Sequence, residues 1–143
     1  MSSAREPGEE QGKSVISREG ADICRWSFVG DISAEEMRRL LAIQKSLMEG
    51  CDRVLLIIDM SKTGSVSADA RKVGAEPSNV KVIGTAIFGA SLHIRMIAKL
   101  VTTASAVLRK ASHEESPVRF FETEKEALAW LDVRRAEVLK AGR

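Results

Sequence analysis

The chain has 143 residues, of which 44% are hydrophobic and 29% charged, with three prolines. That is about one domain's worth of sequence with enough apolar residues for a core, and it excludes wholesale disorder. The 22 basic and 20 acidic residues leave a formal charge of +2, and Tyr is absent. Charge-driven nucleic-acid binding and base stacking are both poorly supplied, so no nucleic-acid partner is expected.

Residues 1–13 mix Ser, Gly, Pro and Glu and read as a flexible tail; residues 14–143 read as one domain. The N-terminus has no apolar h-region, so a secretory signal is not expected. No apolar run approaches the length of a membrane span. Cys24 and Cys51 form no CxxC pair and suggest reduced thiols in a cytoplasmic protein.

Val15 to Arg18 and Ile23 to Val29 predict two strands joined by a turn at Glu19 to Asp22, where Gly20 supplies a positive φ. In the second strand Cys24, Trp26 and Phe28 alternate against Ile23, Arg25 and Ser27. Ser33 and Glu36 have capping-box spacing at the start of a helix. Its inward face holds Met37, Leu40, Leu41, Ile43, Leu47 and Met48; Arg38, Arg39, Lys45 and Glu49 lie opposite, and Gly50 stops it. Val54 to Ile58 is a continuous apolar run of the kind buried on both sheet faces. Met60 to Val66 reads as a loop. Ser67 caps a short helix through Ala75, ended by Pro77. Val80 to Phe88 is a second buried strand.

Leu92 to about Lys110 predicts a third helix, with Met96, Ile97, Leu100, Val101, Ala104, Val107 and Leu108 inward. Ala111 to Pro117 is a loop, and Val118 to Phe121 a last strand. Thr123 and Glu126 form a second capping box, opening a helix with Leu128, Leu131, Val138 and Leu139 inward. The order is β-β-α-β-α-β-α-β-α: a single α/β domain with a mixed sheet of four to five strands, an N-terminal hairpin and about four helices.

No dinucleotide, P-loop or nucleophile-elbow motif is present. His93 and His113 lack a second His or Cys at metal-ligand spacing, so no metal, cofactor or catalytic residue is assigned. An enzymatic reading would rest on His93 alone, so the expectation is a non-enzyme.

Two constellations stand out. One is the pair of segments after the buried strands, Asp59 to Ser67 and Gly89 to His93, where open α/β sheets meet ligands and partners. The other is charge. Pro77 to His113 contains no Asp or Glu but holds Lys81, Arg95, Lys99, Arg109 and Lys110, a local +5. The remainder carries 22 − 5 = 17 basic residues against 20 acidic, or −3. Ser91, His93, Arg95 and Lys99 are the candidate ligand or anion-binding residues, and anionic lipid is one fitting partner.

The element order, with Asp59 closing the central strand and serines following it, resembles the STAS domain of bacterial anti-sigma factor antagonists. The segment from Val118 to Leu131, with its Ala127-Leu-Ala-Trp-Leu131 run, looks like the closing strand and helix of the SpoIIAA-like branch, with a likeness to CRAL-TRIO lipid-binding domains. The resemblance covers about Ser14 to Leu131. It implies a regulatory module that binds another protein, such as an anti-sigma or kinase-like regulator, with a small hydrophobic or lipid ligand as the alternative. The family's phospho-switched members carry Asp-Ser-Ser-Gly at a helix start, and the second serine is phosphorylated. Aligned without gaps, that stretch falls on Ser67-Ala68-Asp69-Ala70, so Asp69 occupies the acceptor position. The resemblance thus points to Asp59, Ser61, Thr63, Gly64, Ser65, Ser67 and Asp69 as the partner-binding residues. Oligomeric state is left open.

Overall fold

The computed structural model describes residues 13–76, 80–92, 95–96 and 117–141. Five strands form one sheet: β1 (Val15–Glu19), β2 (Ile23–Ile32), β3 (Val54–Val66), β4 (Val82–Phe88) and β5 (Val118–Phe121). They lie side by side in chain order. β1 pairs antiparallel with β2, and the remaining neighbours are parallel. The hairpin therefore adds an edge strand to a parallel sheet, as the sequence predicts. Gly20 turns it with φ +65.

Among the described residues three helices pack on this sheet: α1 (Ala34–Leu47), α2 (Ala68–Ala75) and α3 (Glu124–Ala141). One sheet face carries Cys24, Trp26, Phe28, Val54, Ile58, Met60 and Ile87, packed with Met37 and Leu40 of α1 and Val73 of α2. The opposite face carries Leu55, Ile57, Ala86 and Phe88 under Ala127 and Leu131 of α3. Strands buried on both sides need this double apolar supply, and the Val54 to Ile58 run provides it.

The two capping boxes differ. Thr123 and Glu126 are reciprocal: Thr123 N–H donates to Glu126 Oε1 at 3.2 Å, and Glu126 N–H donates to Thr123 Oγ1 at 3.2 Å. In α1 only half forms. Ser33 Oγ accepts from Glu36 N–H at 3.1 Å, while the Glu36 carboxylate takes Arg39 Nε at 3.1 Å. A nearby cation out-competes the backbone N–H for that carboxylate.

Several expectations need correction. Met60 to Val66 is strand, not loop, and β2 runs on to Ile32. The pairing of Val29, Gly30 and Ile32 with Lys62, Thr63 and Val66 makes it so, across two register shifts that erase any two-residue period from the sequence. β4 begins at Val82 rather than Val80. Gln44 lies on the buried face of α1, where its Oε1 accepts the Trp26 indole N–H at 2.8 Å. Leu139 is 52% exposed, and Ala127 takes a buried place in α3. Met96 is 62% exposed instead of inward. Most of the predicted third helix, Ile97 to Lys110 with His93, Lys99, Arg109 and Lys110, lies outside the described residues.

Candidate functional site

β4 ends at Phe88, opposite Asp59 of β3. β3 continues to Val66, paired with β2 alone. Those further residues extend about 20 Å beyond the end of β4, at about 3.3 Å per residue. The result is a two-stranded ribbon standing off the carboxyl end of the sheet. Ser61, Lys62, Gly64 and Ser65 on it are exposed, and Asp59 and Thr63 are half-buried.

Short-range polar contacts fix its shape. Asp59 Oδ1 accepts from both the N–H and the hydroxyl of Ser61, at 2.9 and 2.7 Å. Across the ribbon, Asp31 Oδ1 accepts from Ser65 N–H at 2.9 Å. That backbone donor holds the Asp31 carboxyl below its ordinary value. Gly64 is required beside this contact. A Cβ there would collide with Asp31 Oδ1 and lie 3.2 Å from the Gly30 carbonyl carbon. Gly89, at φ +75, brings the exit of β4 so close that a Cβ would lie 3.0 Å from Ser61 N. The two segments the sequence singled out, Asp59 to Ser67 and the one opening at Gly89, therefore meet at Ser61.

The ribbon runs directly into α2. Ser67 N–H donates to Ile32 O at 3.0 Å, tying the ends of β3 and β2 together. The Ser67 hydroxyl accepts from Ala70 N–H at 3.0 Å and is the N-cap of α2. Asp69 follows in the first turn, exposed to solvent, where the helix dipole favours an anion. The Arg71 guanidinium donates to Val66 O at 2.9 Å and buttresses the junction.

On the β4–β5 side, Ser91 is exposed and Arg95 half-buried. Arg95 N–H donates to Ser91 O at 2.9 Å, closing a helical turn. The Arg95 guanidinium carbon lies 5.9 Å from the centre of the Phe120 ring of β5. Of the four anion-site candidates the structure thus places Ser91 and Arg95, while His93 and Lys99 lie outside the described residues. Sequence reasoning missed Asp31 and Gly30, which support the ribbon from β2. The available signal was the Gly30-Asp31 pair itself, which reads as a strand end rather than a strand.

Among the described residues no group of three or more His, Cys, Asp and Glu side chains is placed to hold a metal. No helix among them is long and apolar enough to cross a membrane.

A family model described as SpoIIAA-like matches residues 23–132, which span the sheet from β2 through the first half of α3. The chain belongs to the SpoIIAA-like family. A solved structure from Shewanella loihica, described as an uncharacterized protein with a SpoIIAA-like fold, is similar to this chain at 17% identity. The match has a TM-score of 0.61 and covers 84% of this chain and 94% of that one. At that identity the likeness speaks for the fold alone. No curated protein matches the chain. The SpoIIAA-like match takes in the four parallel strands β2 to β5 and the start of α3. It supports a regulatory, protein-interacting kind of module in a family that is generally non-enzymatic.

Proposed function

We propose that this protein is a non-enzymatic regulatory module that binds another protein through the β2–β3 ribbon and the start of α2. The residues that carry the contact are Asp59, Ser61, Thr63, Gly64, Ser65, Ser67 and Asp69. The observation behind this reading is the overshoot of β3 past β4. It presents exposed polar side chains on a backbone already hydrogen-bonded on one side. A preformed surface loses little conformational entropy on docking.

Asp69 occupies the position of the phosphoacceptor serine in the switched relatives. Its exposure in the first turn of α2 supports a standing negative charge there, a constant substitute for a switched phosphate. The Ser67 hydroxyl is occupied as a cap and is a poor acceptor in the folded state. The partner class is an anti-sigma or kinase-like regulator.

Affinity capture with the wild-type chain, Asp69→Lys and the α3 control Lys140→Glu tests this. A regulator of that class held by the wild type and the control, and lost with Asp69→Lys, is the expected result. Retention of the same partner by Asp69→Lys would sink the assignment of the surface. Phosphorylation found by mass spectrometry on Ser65 or Ser67 would sink the constant-charge role of Asp69.

A further inference from the structure

The chain's aromatic residues are two Trp and four Phe, with no Tyr. Trp26, Phe28 and Phe88 are buried in the core. The other three, Phe120 and Phe121 of β5 and Trp130 of α3, are half-buried together at one end of the sheet. Exposed Arg119 lies among them, its guanidinium carbon 6.0 Å from the centre of the Trp130 ring. Aromatic residues and Arg are the types enriched where proteins meet.

β5 ends the strand order, and among the described strands it pairs with β4 alone. Its free edge can be assigned residue by residue. Thr85 N–H donates to Pro117 O at 3.0 Å, and Thr85 lies opposite Val118. In a parallel ladder a residue bonds to the two that flank its opposite number, so Arg119 and Phe121 turn their backbone groups toward β4. Val118 and Phe120 turn theirs outward, as alternation along a strand requires. Their side chains pack against the core of the α1–α2 face. Those of Arg119 and Phe121 lie on the α3 face, beside Trp130.

A second copy of the chain fits this edge in one register. Antiparallel pairing about a twofold axis joins outward-turned residues to outward-turned residues. An axis through Arg119 sets two guanidinium groups opposite each other, which is repulsive. An axis through Phe121 sets Val118 and Arg119 opposite Glu124 and Thr123, where β5 has already given way to α3. An axis through Phe120 pairs Phe120 with Phe120, Val118 with Glu122, and Arg119 with the second copy's Phe121. The last is a cation–π contact of the kind Arg119 already makes with Trp130. β1, at the other end of the sheet, has Arg18 and Glu19 among its five residues and no aromatic, the composition of a protected edge.

We propose that two copies of this chain pair β5 with β5, antiparallel, about a twofold axis at Phe120, joining their five-stranded sheets edge to edge. Phe120 and Val118 supply the outward backbone groups; Arg119 and Phe121 supply the reciprocal side-chain contact. Four residues extend about 13 Å at about 3.3 Å each, so the contact is small and the dimer is weak and concentration-dependent. This surface goes beyond the docking reading and does not depend on it.

The test is sedimentation velocity of the full chain from about 10 μM to about 1 mM. The mass should rise with concentration from 15.6 kDa toward twice that value. Phe120→Pro removes an outward N–H and spares the N–H groups that bond β4, so it should weaken association about tenfold or more. A second measurement locates the axis and stands even where the proline variant fails to fold. In a Cys51→Ser background, Phe120→Cys brings two Cα atoms to about 5.5 Å, within disulfide range, while Arg119→Cys leaves them about 7–8 Å apart, beyond it. Under mild oxidation Phe120→Cys should give a covalent dimer on a non-reducing gel, and Arg119→Cys should not. The proposal is overturned if the chain stays monomeric at about 1 mM, if folded Phe120→Pro associates as strongly as the wild type, or if Arg119→Cys cross-links as readily as Phe120→Cys.

Discussion

The buried hydrogen bond between Trp26 and Gln44 offers a quantitative test of how α1 is seated on the sheet. Both residues are nearly inaccessible, at 4% and 3% exposure, and the donor–acceptor distance is 2.8 Å. Gln44→Met conserves shape but removes the acceptor, leaving the indole N–H buried and unpaired. An orphaned buried donor costs about 1–3 kcal/mol. The added apolar contact of Met offsets part of this, so a net loss of about 1–2 kcal/mol is expected. Trp26→Phe removes the donor instead and orphans the amide oxygen. With both replaced, neither orphan exists. The double variant should therefore be more stable than the sum of the single losses implies, by about 1–3 kcal/mol. At about 3 °C per kcal/mol for a domain of this size, that coupling is about 3–9 °C in Tm. Urea unfolding followed by far-UV circular dichroism measures all four corners of the cycle. Strict additivity, within about 0.5 kcal/mol, would refute the reasoning.

Two further outcomes follow from the same geometry. Arg135 grips Asp22 with two hydrogen bonds, at 2.7 and 2.9 Å, and holds its carboxyl below the ordinary value of 3.8. A carboxyl depressed in the folded state stabilises the fold above its unfolded value and ceases to do so as pH falls through the folded value. Each partner is nearly a third exposed, so Asp22→Asn should cost only about 1 kcal/mol at neutral pH. Stability measured against pH should show that gap closing below about pH 4. Cysteine labelling should separate the two thiols. Burial pushes the Cys24 thiol up to about 11, so iodoacetamide should modify the half-buried Cys51 in the native protein and Cys24 only on unfolding. Native labelling of Cys24 ahead of Cys51 would contradict the packing of β2.

Local signals carried most of the fold. The Cys24-Trp26-Phe28 alternation, the apolar run at Val54 and the caps at Ser33, Ser67 and Thr123 all mark elements that formed where expected. Such features need only neighbours in the chain. The ribbon did not share this property. Lys62, Gly64 and Ser65 have little strand propensity of their own, and they are strand because β2 lies alongside. Gln44 shows the same limit, since a polar residue on a buried helix face is explained only by the Trp26 indole across the core. The candidate site was legible as a list of residues following Asp59. Its character was not. What reads as a loose serine-rich loop is a latched strand, held by Asp31, a residue that sequence reasoning gave no role.

That latched strand is the surface on which the functional account rests. A photo-cross-linking side chain placed at Ser65, compared with one at the exposed Val133 of α3, tests it most directly. In cells the Ser65 probe should give a discrete protein adduct that disappears when Asp69→Lys is added, while the Val133 probe gives none. Adducts from Val133 with none from Ser65 would place the docking surface on α3 and contradict the account.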